Sequence, residues 1–89
     1  MKTIEITVKG LVQGIGYRYF IREKAKQTGI NGYVKNMSNG NVLIIAEGEE
    51  SALEDFMQRI KTEHQYAHIN DMTVNKAKEE YFNEFKIIH

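Results

Sequence analysis

The sequence predicts an α+β fold, a split β-α-β-β-α-β sandwich in which one antiparallel sheet carries two helices on one face. Three observations carry this reading. Ile4, Ile6 and Val8 alternate with polar residues near the start of the chain, the period-two pattern of a half-buried strand. Leu53, Phe56, Met57 and Ile60 recur instead at the i, i+3, i+4, i+7 spacing of an amphipathic helix. Between them, an Asn39-Gly40 pair separates two apolar-rich segments, a strong hairpin signal.

Taken in order, the first strand alternates Ile4, Ile6 and Val8 with Thr3, Glu5, Thr7 and Lys9. The loop Gly10-Leu11-Val12-Gln13-Gly14-Ile15-Gly16-Tyr17-Arg18 follows it and opens a helix over Tyr19–Thr28. Ile21, Ala25 and Thr28 share one face of that helix, and Gly29 is its expected C-cap. Gly32–Met37 reads as the second strand, and Asn39-Gly40 as a tight type I′ turn into a third strand over Val42–Glu47, ended by Gly48. Ser51 and Glu54 fit a capping box, with a start a residue or two earlier also allowed, for a helix reaching about Thr62. The acidic run Glu47, Glu49, Glu50, Glu54 and Asp55 reads as a solvated helix start that complements the dipole. Residues 63–69 read as loop, Met72 and Val74 mark a strand within 69–78, and Phe85-Lys86-Ile87-Ile88 forms an extra edge strand. Right-handed crossovers leave few arrangements for this order other than the ferredoxin-like one.

Size and charge narrow the function. A chain of 89 residues makes one domain, and chains of this size bury roughly 60–65% of the surface they expose when unfolded. With no cysteine, disulfides and thiolate chemistry are excluded, and a reducing cytoplasm is compatible. The longest apolar run, Val42-Leu43-Ile44-Ile45-Ala46, is far too short to cross a bilayer, and residues 1–5 hold no apolar segment of signal-peptide length. Net charge is zero but uneven: residues 1–40 carry seven Lys/Arg against Glu5 and Glu23, whereas residues 41–89 carry five against ten acids. The glycine loop lies in the basic half, which suits a small anionic substrate better than a long nucleic acid.

Gly14 and Gly16 let the backbone turn so that several N–H groups face one spot, with Arg18 where the helix begins. Those parts make a seat for a tetrahedral oxyanion such as phosphate. A cation at a helix N-terminus opposes the helix dipole, so Arg18 is poorly placed for stability alone. Bound phosphate would remove that conflict.

The loop Gly10–Arg18 resembles the first signature of the acylphosphatase family. Gly32-Tyr33-Val34-Lys35-Asn36-Met37-Ser38-Asn39-Gly40-Asn41-Val42, with Gly48 closing the pattern, resembles the second. With the Phe85-Lys86-Ile87 run, the resemblance covers residues 1–89 as one domain. Ile15 stands where valine is usual and Tyr17 where phenylalanine is commoner, and both keep apolar bulk. The resemblance implies hydrolysis of the carboxyl–phosphate bond of acyl phosphates, with no metal, no cofactor and no phosphoenzyme. It implies that Arg18 binds the phosphoryl group, that Asn36 positions the attacking water, and that the backbone of Gln13, Gly14, Ile15, Gly16, Tyr17 and Arg18 completes the phosphate seat.

The chemistry agrees with these residue types. Phosphoryl transfer needs positioning and charge stabilisation more than covalent help. A guanidinium fork matches two phosphoryl oxygens. The leaving group is a weakly basic carboxylate, so no acid is needed to protonate it. Asn36 is a poor base, and the substrate's own phosphate oxygen is expected to take the water proton. Tyr17 reads as packing. His64 and His68 offer zinc no third ligand at a recognisable spacing. His89 follows the last strand, and whether the chain carboxylate there reaches the site is left open by the sequence. Two other function classes share this architecture. An RNA-binding module stacks bases on strand aromatics, a pattern that Lys35-Asn36-Met37-Ser38 does not provide. A regulatory domain with a dead site is disfavoured by the presence of both Arg18 and Asn36. The expectation is a monomeric cytoplasmic enzyme acting on a small acyl phosphate, with no nucleic-acid or membrane partner.

Overall fold

A computed structural model describes residues 1–89, with the element order β1 (Lys2–Leu11), α1 (Tyr17–Thr28), β2 (Asn31–Asn36), β3 (Val42–Gly48), α2 (Glu50–Thr62), β4 (His68–Lys76) and β5 (Phe85–Ile88). The sheet runs β4-β1-β3-β2-β5. Ile6, Val8, Val34, Val42, Ile44 and Ala46 from the sheet join Tyr17, Ile21 and Ala25 of α1 and Leu53, Phe56 and Ile60 of α2 in one buried cluster, so both helices cover the same face. No helix is long and apolar enough to cross a membrane.

The expected antiparallel sheet needs one correction. β1, β2, β3 and β4 pair antiparallel, but β5 lies parallel to β2. The reason is the path of the chain. β4 and β2 lie on opposite sides of the β1–β3 pair, and the segment 77–84 crosses the end of the sheet before β5 begins. In consequence β1, β2 and β5 all run the same way, and their C-terminal ends reach the same end of the molecule. Register makes this concrete: Val8, Val42 and Asn36 sit level, and Ile88 lies beside Lys35.

At the opposite end Thr3, Glu47 and Asn31 are level across three strands and together hold the crossing segment. The Glu47 carboxylate is 2% exposed. It accepts from the Thr3 hydroxyl at 2.6 Å, the Glu80 N–H at 2.9 Å and the Phe82 N–H at 2.8 Å. Asn31 donates to the Phe82 carbonyl and the Ala77 N–H donates to Thr3. Between Glu80 and Phe82, Tyr81 adopts φ 56, a left-handed conformation that costs a non-glycine residue about 1–2 kcal/mol and is held here by its bonded neighbours. The reading of Glu47 as a solvated acid is therefore wrong. Glu49, Glu50, Glu54 and Asp55 are exposed as expected, but period two sets Glu47 on the sheet face opposite Val42, Ile44 and Ala46, where the segment 77–84 covers it.

Three local expectations also change. α1 begins at Tyr17, two residues early, because Tyr17 extends the buried row Ile21 and Ala25 by one turn, while Thr28 is only half-buried. The type I′ turn is absent. Asn39 keeps a negative φ, and the hairpin closes with Gly40 N–H to Met37 O and Met37 N–H to Asn41 O, leaving a three-residue loop with only Gly40 at positive φ. The Ser51–Glu54 capping box is absent too. Glu49 is the N-cap, with no side-chain cap bond, because it alone separates β3 from α2 and Ser51 already lies in the first turn. Gly29 caps α1 in the left-handed conformation as expected.

Burial pushes the Glu47 carboxyl up, but the Thr3 hydroxyl and the N–H groups of Glu80, Phe82 and Tyr81 outweigh it and hold it below its ordinary value. Its native pKa thus lies below the unfolded one, so its stabilisation is complete above the ordinary carboxyl range and is lost as pH falls through the lowered native value. Glu47→Gln is expected to cost about 1–3 kcal/mol at neutral pH. Urea unfolding of both proteins across pH should show that gap closing on acidification.

Candidate active site

β1 delivers the loop that begins the site. Gly14 and Gly16 both have φ 75, with Ile15 at negative φ between them. Such sign alternation turns successive N–H groups toward one side, the geometry of an anion-binding nest. A Cβ at either glycine would meet nothing within 4 Å, so glycine is required there by conformation and not by space. The N–H groups from Gln13 to Tyr19 donate to no acceptor in the protein, and Gly16 caps α1 with no side-chain bond and no acidic residue in the first turn. A helix N-terminus left with free donors carries partial positive charge.

Arg18 is the second residue of α1 and adds a full positive charge there. It forms no ion pair. Its Nη1 lies 3.4 Å from the Ile88 carbonyl and 3.5 Å from His89 Nδ1, both at the weak limit of hydrogen bonding. The last strand does approach the loop, and it meets Arg18 through that carbonyl and the imidazole. Asn36 ends β2, and its Oδ1 is buried with no hydrogen-bond partner. An unsatisfied buried acceptor costs about 1–3 kcal/mol.

Val12, Gly14, Gly16, Tyr17, Arg18, Tyr19 and Asn36 line one cleft of about 120 Å³. Arg18 and Asn36, 18 residues apart in sequence, are thus brought together with both loop glycines. Gln13 and Ile15 do not line it. Ile15 is half-buried against the core, and the Gln13 carboxamide donates to Met37 O at 2.9 Å and Asn41 O at 2.8 Å. The Tyr17 ring is buried, its hydroxyl donates to Ile60 O at 2.7 Å, and burial pushes the phenol far above its ordinary pKa, so it packs as expected. His64 Nδ1 accepts the N–H groups of Tyr66 and Ala67, and His68 opens β4, so the two histidines do not share a helical face.

Sequence reasoning missed Tyr19. It lines the cleft, stands 53% exposed and holds the Arg22 guanidinium 5.2 Å from its ring centroid. Its signal was available: a large aromatic set off the apolar face formed by Ile21 and Ala25. The Gln13 carboxamide bonds were also missed, and nothing local announces them.

The Acylphosphatase family model matches residues 4–87. The chain belongs to the acylphosphatase family. It is 42% identical to an acylphosphatase of Archaeoglobus fulgidus over 89 residues, covering all of both chains. It is 41% identical to one of Thermotoga maritima over 87 residues, covering 98% of this chain and 97% of that one. The solved acylphosphatase from Bacillus subtilis superposes with a TM-score of 0.95 at 36% identity, again covering all of both chains.

Within this acylphosphatase-family fold, Arg18 is unfavourable for stability, since it opposes the dipole of α1 and no carboxylate pairs with it. Arg18→Gln is therefore expected to leave the unfolding free energy unchanged or to raise it by about 0.3–1 kcal/mol, measured by urea denaturation. Gly16→Ala is expected to lower it by about 1–2 kcal/mol through left-handed strain.

Proposed function

We propose that the protein hydrolyses small acyl phosphates, with water attacking phosphorus, and that Arg18 and Asn36 carry the reaction. The observation that supports this best is the cleft in which Arg18, the free N–H groups of the glycine loop and the unpartnered Asn36 Oδ1 meet. The Arg18 guanidinium and the loop amides take the phosphoryl oxygens, giving positive charge where the transition state spreads negative charge. Asn36 Oδ1 accepts one hydrogen of the attacking water and orients it in line with the bond that breaks. The P–O bond to the acyl group cleaves, its electron pair leaves on a carboxylate, and the water proton ends on a phosphate oxygen. The products are a carboxylate and inorganic phosphate.

No Asp, Glu or His lines the cleft, and this chemistry asks for none. A carboxylate leaves without protonation, and the substrate's own oxygen serves as proton acceptor. Arg18 and the amides supply the charge that a cation would otherwise bring, so the proposal includes no metal and no cofactor. It also includes a monomer in the cytoplasm. No observation favours a non-catalytic binding module.

Losing one preorganised donor to developing charge typically costs about 2.7–4 kcal/mol of barrier. Arg18→Ala is therefore expected to lower kcat on benzoyl phosphate by at least about a hundredfold, and Asn36→Ala, which loses the in-line alignment of the water, by about a hundredfold as well, with chelator leaving the wild-type rate unchanged. Near-normal turnover by Arg18→Ala would remove the assignment, and loss of activity with chelator would remove its metal-free form.

A further inference from the structure

The phosphoryl seat and Asn36 stand on strands that do not touch. The loop follows β1, Asn36 ends β2, and β3 lies between them in the sheet. Two strand spacings amount to about 9–10 Å, so no shared ladder sets the separation of Arg18 from Asn36. The Gln13 side chain spans that gap. It directly precedes Gly14, and it reaches across the start of β3 to the two carbonyls that close the hairpin, Met37 O at 2.9 Å and Asn41 O at 2.8 Å. Met37 directly follows Asn36. No other side-chain hydrogen bond ties residues 12–16 to this hairpin. Both amide hydrogens of Gln13 are spent on backbone carbonyls, so neither is free for a phosphate. The hairpin itself does not need them, since Met37 O also takes the Gly40 N–H and Asn41 O also takes the Met37 N–H.

The geometry points to Gln13 as a positioning residue, a strut that sets the distance between the phosphoryl seat and the water-orienting carboxamide of Asn36. This rests on the function proposed above. A strut of this kind acts on turnover through Asn36 and leaves ground-state phosphate binding to Arg18 and the amides. Misplacement by about 1 Å is enough to cost up to about a hundredfold in rate.

The test uses Gln13→Met, which keeps length and shape but removes both donors, assayed with benzoyl phosphate as substrate and inorganic phosphate as competitive inhibitor. The expected result is a fall in kcat of about tenfold or more, with the inhibition constant of phosphate within about twofold of wild type. In an Asn36→Ala background the same substitution should cost no more than about twofold, because the group it positions is gone. Gln13→Glu provides a second readout. Its carboxylate faces two carbonyls, so its turnover relative to wild type should rise as pH falls and the carboxyl becomes a donor. Wild-type kcat in Gln13→Met overturns the inference. So does a phosphate inhibition constant that rises in step with the loss, or an effect that multiplies with Asn36→Ala, since each would place Gln13 in the seat itself. An inactive wild type, or full activity in Asn36→Ala, would instead overturn the functional reading on which the strut depends.

Discussion

The buried carboxylate of Glu47 is the interaction on which the arrangement of the last strand depends. The chain leaves β4 on one rim of the sheet and must cross its whole width before β5. Glu47 gathers the N–H groups of Glu80 and Phe82 and fixes that crossing, with the Thr3 hydroxyl completing its shell. Such charge-assisted bonds in a dry setting are stronger than their exposed equivalents. The direction of β5 follows from that crossing, and with it the arrival of Ile88 and His89 beside Arg18.

The two ends of the sheet are built on opposite terms. At the Glu47 end, the buried carboxylate meets the Thr3 hydroxyl and the N–H groups of Glu80 and Phe82. At the cleft end, the first turn of α1 has free N–H groups, Arg18 faces the wrong pole of its helix, and Asn36 holds a buried oxygen without a partner. Unmet groups clustered in one place are the mark of a site kept for an outside molecule, and the rest of the fold must supply the stability they withhold.

Much of this was legible in the residues. Period two in Ile4–Val8 and the helical spacing of Leu53–Ile60 located elements that the structure has, because each reports a face buried against the same core. The glycine loop was legible because few residue types tolerate the backbone it needs. Arg18 was legible because it contradicts its helix. The errors have physical causes. Asn39-Gly40 suits more than one turn type, and the pair alone does not say that the hairpin closes through Gly40 N–H to Met37 O and Met37 N–H to Asn41 O, which leaves a three-residue loop. Glu47 looked like its acidic neighbours because sequence does not display the segment that folds over it. The parallel set of β5 and the Gln13 bonds are likewise properties of chain path, which local pattern does not carry.

Because β1 and β5 run the same way, Met1 and His89 lie at opposite poles of the molecule. An affinity tag fused ahead of Met1 would hang clear of the cleft, whereas one fused after His89 would emerge beside the guanidinium of Arg18 and crowd its mouth. The choice of fusion end therefore decides whether an expressed protein presents an open site.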